Sequence, residues 1–278
     1  MSHQRYLEMF QRLASRREGA FIPFVMLGDP DPATSARILA ELARSEADAI
    51  EVGIPFSDPV ADGPVIQAAA VRALAAGTTP LHCWNLIKDL RGLRPTVPIG
   101  ILTYANLAFQ GGPEQFYREA AASGADSVLL ADLCSEEAMP FAALARAAGI
   151  APIMIVPPNA TRKRLEQLAT LTEGFSYVTR RPGVTGEDST EAASTAGLIR
   201  DLQEAGAPPA LLGFGIGEQS QVRGALALGA AGAISGSALV RRIAAATPDR
   251  LGEVTRTFVA EMKAATRSHP GCLQRSGG

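Results

Sequence analysis

Short, wholly apolar runs alternate along this chain with Ala- and Leu-rich stretches of helical period. The runs fall at Phe21–Leu27, Ala49–Ile54, Pro98–Thr103, Ser127–Ala131, Pro152–Val156, Phe175–Thr179, Leu211–Phe214 and Gly232–Ser235. A run that is apolar at every position, rather than at alternate ones, predicts a strand covered on both faces, as parallel strands are. Helices are predicted between them at Pro32–Ser45, Gln67–Ala76, Pro80–Leu90, Pro113–Ser123, Glu136–Ala148, Arg162–Leu171, Thr190–Glu204, Glu218–Leu228 and Ser237–Ala246. Each is long enough to carry the chain back for a parallel crossover.

The joints repeat as well. Glu46-Ala47-Asp48-Ala49, Ser123-Gly124-Ala125-Asp126 and Gly229-Ala230-Ala231-Gly232 each place small residues between a helix end and the next strand, the signature of a tight αβ turn. Eight such units match a closed (β/α)8 TIM barrel. An open doubly wound sheet shares the alternation, but no GxGxxG follows the first strand. An extra N-terminal helix, Gln4–Arg17, has Tyr6, Leu7, Phe10 and Leu13 to lay across the lower mouth, and a last helix at Val254–Ala265 closes the ring. The expected organisation is one domain over residues 1–268 and a flexible tail over 269–278.

Composition narrows the setting. Twenty-six basic against 28 acidic residues leave a net charge of -2, with no basic run interleaved with aromatics, so nucleic acid is not an expected partner. No apolar run spans a bilayer and the N-terminus lacks a signal-peptide core, so no membrane is expected and the cytoplasm is the expected location. Cys83, Cys134 and Cys272 form no CxxC pair, which suits a reducing compartment.

In a β/α barrel the chemistry gathers where the strands end. Glu51 lies inside the second run, between Ile50 and Val52. It is either half of a structural ion pair or a desolvated carboxyl able to exchange a proton near neutral pH. Asp58 and Asp62 follow in the stiff, acidic loop PFSDPVADGP. Asp62 either caps the helix after Pro64 or hangs over the mouth as a second carboxylate. A carboxylate-only magnesium site on Asp58 and Asp62 is the metal alternative.

Glycines cluster after the last three runs: Gly183 and Gly186, then Gly213, Gly215 and Gly217, then Gly236 beside Ser237. Adjacent strand ends that let backbone N–H groups approach closely predict a phosphate site, to which Ser237 adds a hydroxyl or a helix cap. The lysines Lys88, Lys163 and Lys263 and the histidines His3, His82 and His269 fall in helical or terminal stretches. Schiff-base chemistry and imidazole-bound metal are thereby disfavoured, and proton transfer is left to Glu51, Asp62 or a phenol such as Tyr177.

From GAFIPFVMLGDP at Gly19–Pro30 to MKAATRS at Met262–Ser268, the chain resembles the tryptophan synthase α subunits. The motifs EVGIPFSDPVADGPVIQ, YANLAF, GADSVLLAD, APIMIVPPN, RPGVTG, GFGI and GAISGSA occur in order. The resemblance implies a lyase of tryptophan biosynthesis that cleaves indole-3-glycerol phosphate to indole and glyceraldehyde 3-phosphate. Asp62 would accept the indole N–H, Glu51 would protonate ring carbon C3 and help remove the glycerol hydroxyl proton, and Tyr177 would support the exchange. Phosphate would rest on Gly186, Gly215, Gly236 and Ser237, and the indole pocket would comprise Phe24, Leu102, Leu129, Ile155 and Phe214, with Thr185 in a closing lid. No cofactor is expected in this chain. A pyridoxal phosphate-dependent β subunit would complete an α2β2 complex, meeting Pro55, Asp58, Asn106 and Gln110. Asp132-Leu133-Cys134 and the proline at Pro182 depart from the family pattern and weaken the expectation of tight coupling to that partner. A phosphosugar isomerase on the same scaffold and a non-enzymatic binding module are the alternative readings.

Overall fold

A computed structural model of the protein describes residues 3–179 and 189–267. The strands are β1 (Ala20–Met26), β2 (Ile50–Gly53), β3 (Ile99–Thr103), β4 (Ser127–Leu130), β5 (Ala151–Ile153), β6 (Ile155–Val156), β7 (Ser176–Thr179), β8 (Ala210–Gly213) and β9 (Gly232–Ser235). Every pairing is parallel, in the order β5-β4-β3-β2-β1-β9-β8-β7-β6. β5 and β6 are separated by Met154 alone, one half pairing with β4 and the other with β7. The order thus begins and ends on one broken strand, the sheet closes on itself, and the eight predicted runs are the eight staves of a barrel.

The helices are α1 (Gln4–Arg16), α2 (Pro32–Arg44), α3 (Pro64–Ala75), α4 (Pro80–Leu93), α5 (Ala105–Phe109), α6 (Pro113–Ser123), α7 (Ala138–Ala147), α8 (Arg162–Leu171), α9 (Ser189–Glu204), α10 (Gln219–Ala227), α11 (Ser237–Ala245) and α12 (Leu251–Ala264). Local chemistry starts several of them. Asp31 accepts the Thr34 N–H at the head of α2, and Thr79 and His82 form a reciprocal capping box on α4. The short α5 is the one helix that periodicity did not predict, because a single turn carries no period to detect.

Alternate residues of each strand face two separate apolar shells. Phe21, Val25, Val52, Ile99, Ile101, Val128 and Leu212 pack outward against the helices. Ile22, Ala49, Leu129, Ile153, Tyr177, Leu211 and Ile234 fill the barrel, with Tyr6, Met9 and Leu13 of α1 plugging it from below. Both shells are dry, which is why the strands read as continuous apolar runs.

Ion pairs hold the plug. Asp48, just before β2, accepts the Phe21 N–H at 2.9 Å and meets Lys263 at 2.9 Å and Arg12 at 3.5 Å. Asp126, just before β4, accepts the Ile99 N–H at 2.7 Å and pairs with Arg5 and Arg91. The aspartates of two repeated αβ joints thus fasten the start of the preceding strand, and α1 supplies a cation to each.

Candidate active site

Register puts Glu51 in the barrel's interior layer, beside Phe24 of β1 and Gly100 of β3. The side chain is 4% exposed, and its Oε2 has no hydrogen-bond partner among the described residues. Among the described residues no arginine or lysine pairs with it, which speaks against the structural ion-pair alternative. Burial, reinforced by the nearby Asp62 charge, pushes its carboxyl up to about 8. Near neutral pH it therefore holds its proton and can give it up.

Asp62 reaches the same space from the loop after β2. It is not a cap: the residue at the head of α3 is Gly63, with no side-chain cap bond. Tyr104 Oη donates to Asp62 Oδ2 at 3.0 Å, and the Ala61 N–H donates to Tyr104 Oη at 3.1 Å. Tyr104 stacks on Phe56 with ring centroids 5.3 Å apart, so the phenol is fixed from two sides. Burial raises the Asp62 carboxyl while the Tyr104 hydrogen bond draws it back down. Two carboxyls of different environment thus share one mouth, one without a donor and one with it, an arrangement that divides acid from hydrogen-bond acceptor.

Tyr177 of β7 lies opposite in the same layer, paired in register with Ile155 and Leu211. Burial and the two carboxylates hold its phenol well above the ordinary value, so it remains a neutral hydroxyl. Its ring touches Phe214 at a centroid distance of 6.2 Å. A side chain on Gly213 would place Cβ 2.4 Å from the Tyr177 ring, so only glycine lets the ring lie there.

The glycine corner follows at the ends of β8 and β9. Gly215 has φ +74 and open space above it, while Phe214 also occupies the left-handed region at φ 65. Gly236 precedes α11, and a Cβ there would sit 3.1 Å from Phe24 Cδ1. Ser237 is the first residue of α11 and not its cap, so the cap expectation is corrected: the N-cap is Gly236, without a side-chain cap bond. The first-turn amides of α11 therefore have no side-chain acceptor from the cap and suit an anion.

A family model of the tryptophan synthase alpha chain matches residues 10–267. The chain belongs to that family. It is 53% identical over 264 residues to the tryptophan synthase alpha chain of Shewanella amazonensis, covering 94% of this chain and 99% of that one. The Yersinia pseudotuberculosis alpha chain is 52% identical over 268 residues, covering 95% and 100%. One chain of the solved tryptophan synthase α2β2 complex of Pyrococcus furiosus superposes with a TM-score of 0.80 at 33% identity, covering 89% of this chain and 99% of that chain.

For a tryptophan synthase α chain the remaining predicted residues distribute as follows. Phe24 pairs in register with Glu51 and Leu102 with Leu129, Leu102 and Ile155 pack against the inner cluster that holds Leu129, and Phe214 meets the Tyr177 ring. Pro55, Asn106 and Gln110 line an open groove of about 520 Å³ between the loop after β2 and α5. Asn106 and Gln110 are exposed, as is Asp58, whose carboxylate accepts from Ser57 Oγ, while Pro55 is buried at the groove's base. Gly183, Thr185 and Gly186 lie outside the described residues, as does the tail 269–278. Among the described residues no group of three or more His, Cys, Asp or Glu is placed to hold a metal ion, and no helix is long and apolar enough to cross a membrane. The residue that sequence reasoning missed is Tyr104. Its motif YANLAF was noticed, but nothing in the sequence ties its hydroxyl to a loop 42 residues earlier.

Proposed function

We propose that the chain cleaves indole-3-glycerol phosphate to indole and glyceraldehyde 3-phosphate, with Glu51 as proton donor and acceptor and Asp62 as the acceptor for the indole N–H. The observation that carries this reading is the buried Glu51 carboxyl, unpartnered at Oε2 and protonated near neutral pH, sharing the mouth with Asp62. Asp62, steadied by Tyr104, draws on the indole N–H and favours the indolenine tautomer. Glu51 delivers its proton to C3. The resulting carboxylate then takes the glycerol hydroxyl proton, the carbonyl forms, the carbon–carbon bond breaks and its electron pair returns to the ring.

The phosphate is assigned to Gly215 after β8 and to Gly236 and Ser237 at the head of α11, with Gly186 as a further contact. Phe24, Leu102, Leu129, Ile155 and Phe214 supply the apolar walls of the indole pocket, and Tyr177 keeps a neutral hydroxyl beside the carboxyls. Thr185 is assigned to the closing lid. The tryptophan synthase β subunit is the assigned partner in an α2β2 complex, meeting Pro55, Asp58, Asn106 and Gln110 around the open groove. Pyridoxal phosphate belongs to that subunit.

The test is indole release from indole-3-glycerol phosphate by the purified chain, alone and with a β subunit. Glu51→Gln and Asp62→Asn should each abolish most turnover while size-exclusion shows assembly intact. Activity retained in both variants would refute the assignment. Isomerisation of simple sugar phosphates without indole release would point to the isomerase instead.

A further inference from the structure

A β/α barrel needs one helix to bring β2 back to β3, and this chain has two. α4 takes the place in the outer ring, packed between α2 and α6, whereas α3 lies against β1 and α11. α3 is thus an additional helix seated on the barrel, and the Asp62 loop runs directly into its first turn. Gln67 of that turn donates from Nε2 to the Asp62 backbone carbonyl at 2.9 Å. The position of Asp62 is therefore inherited from the seat of α3.

That seat is thinly built. The buried face of α3 is Ile66 with Ala69, Ala70 and Ala73, set against Phe24, Met26 and Val240. Alanines bury little apolar area and interlock weakly, so such a face tolerates sliding and rotation better than one of large side chains. Its head has no side-chain cap bond. The only charged residue of α3 is Arg72. Arg72 Nε donates to Asp29 Oδ1 at 2.7 Å and Nη2 to Asp29 Oδ2 at 2.9 Å, a two-point fork onto a carboxylate that is 5% exposed. Next to it Gly28, at φ +78, leaves no room for a side chain, because a Cβ would fall 2.1 Å from Thr78 Oγ1 just beyond α3. The loop after β1 thus grips the trailing half of α3, and a planar fork fixes rotation as well as distance.

We infer that Asp29 and Arg72 are positioning residues for the lyase reaction, their forked contact setting the seat of α3 and through it the placement of the Asp62 carboxylate over the barrel mouth. The inference rests on the role assigned to Asp62 above. α11, which presents the phosphate amides, touches α3 but is also seated on β1 and α12, contacts that survive a shift of α3, so losing the fork should disturb the rate more than the binding of substrate.

The experiment measures kcat and KM for indole release in Arg72→Met, Arg72→Lys, Asp29→Asn and the Arg72→Met/Asp29→Asn double variant, with circular dichroism and a thermal melt on each. A displacement of about 1 Å at the reacting centre can cost roughly a hundredfold. The expected result is a kcat lowered by roughly 10- to 100-fold in Arg72→Met with KM within about threefold, partial rescue by lysine, and a double variant no worse than the poorer single. Should Arg72→Met fail to fold, Arg72→Lys and Asp29→Glu carry the same test, since each keeps the charge and spoils the fork. A folded variant with kcat within twofold of wild type, a change in KM alone, or additive losses would overturn the inference. Asp62→Asn is run beside them. If it stays active, the role of Asp62 is wrong; if it is dead while the fork variants turn over normally, only the positioning role falls.

Discussion

Replacing Glu51 by glutamine should make the enzyme inactive at every pH and more stable only toward pH 8, so pH separates the two effects. In the unfolded chain this carboxyl titrates at its ordinary 4.5; in the barrel, burial and Asp62 push it to about 8. Between those values the folded state binds the proton and the unfolded state does not. Stability from this group is thus complete below pH 4.5 and falls as pH rises, levelling off above about 8. Each pH unit in that window costs about 1.4 kcal/mol, so the accumulated loss at pH 7 is on the order of 3 kcal/mol. Glutamine carries no charge at any pH and escapes it. Its amide still needs partners in a site where Oε2 has none, a constant penalty of about 1 to 3 kcal/mol. The variant should therefore be level with wild type or weaker at pH 4.5 and gain on it steadily toward pH 8. For a domain of this size the change between those limits amounts to roughly 5 to 15 °C in melting temperature. Urea unfolding at several pH values checks the difference in free energy, while indole release should fall by about a hundredfold or more. A stability difference that stays flat with pH, or that turns against the variant as pH rises, would refute the claim that Glu51 is buried without a compensating charge.

Three further outcomes follow from other contacts. Tyr104→Phe removes the donor that draws the Asp62 carboxyl down, so the acidic limb of kcat/KM should move to higher pH, with loss of about threefold or less above it; an unmoved limb would dissociate the phenol from Asp62. Gly213→Ala drives a methyl into the Tyr177 ring, and kcat/KM should drop by about tenfold or more while overpacking costs about 1 to 3 kcal/mol in urea unfolding. Lys263→Met takes from Asp48 and Glu18 the ammonium 2.9 Å from each, leaving Arg12 and Arg267 as weaker partners, and urea unfolding should show a loss of about 2 to 4 kcal/mol with activity per folded molecule preserved.

The barrel was legible because its physics is repetitive. Strands dry on both faces leave apolar runs, and small-residue joints recur where helices hand over to strands, so the eight staves and the N-terminal plug follow from period alone. What period could not supply is where an isolated feature decides the geometry. The break at Met154, which lets one run pair to both sides, leaves no trace in an apolar segment. Asp62 before Gly63-Pro64 reads equally as a helix cap or a mouth carboxylate, and only the Tyr104 hydroxyl settles which. The contact of α3 with the loop after β1 is likewise a meeting of residues 43 apart, invisible to any local window.

The strongest pointer to function comes from two acids three residues apart in one short segment, Asp48 and Glu51. Both are buried to about the same degree, at 5% and 4% exposure. Asp48, at the foot of β2, is answered by a backbone N–H, Lys263 and Arg12. Glu51, three residues further along, is answered by none of these among the described residues, and the charge that acts on it is another carboxylate, Asp62. Had selection acted on the fold alone, the second acid would have no reason to exist, since an apolar side chain in that layer would pack at no electrostatic cost. The fold therefore carries Glu51 as a liability, one that the proposed proton-transfer role would offset. The same strand shows the two uses side by side, a carboxylate satisfied where the barrel is fastened and a carboxyl left unsatisfied where the barrel works.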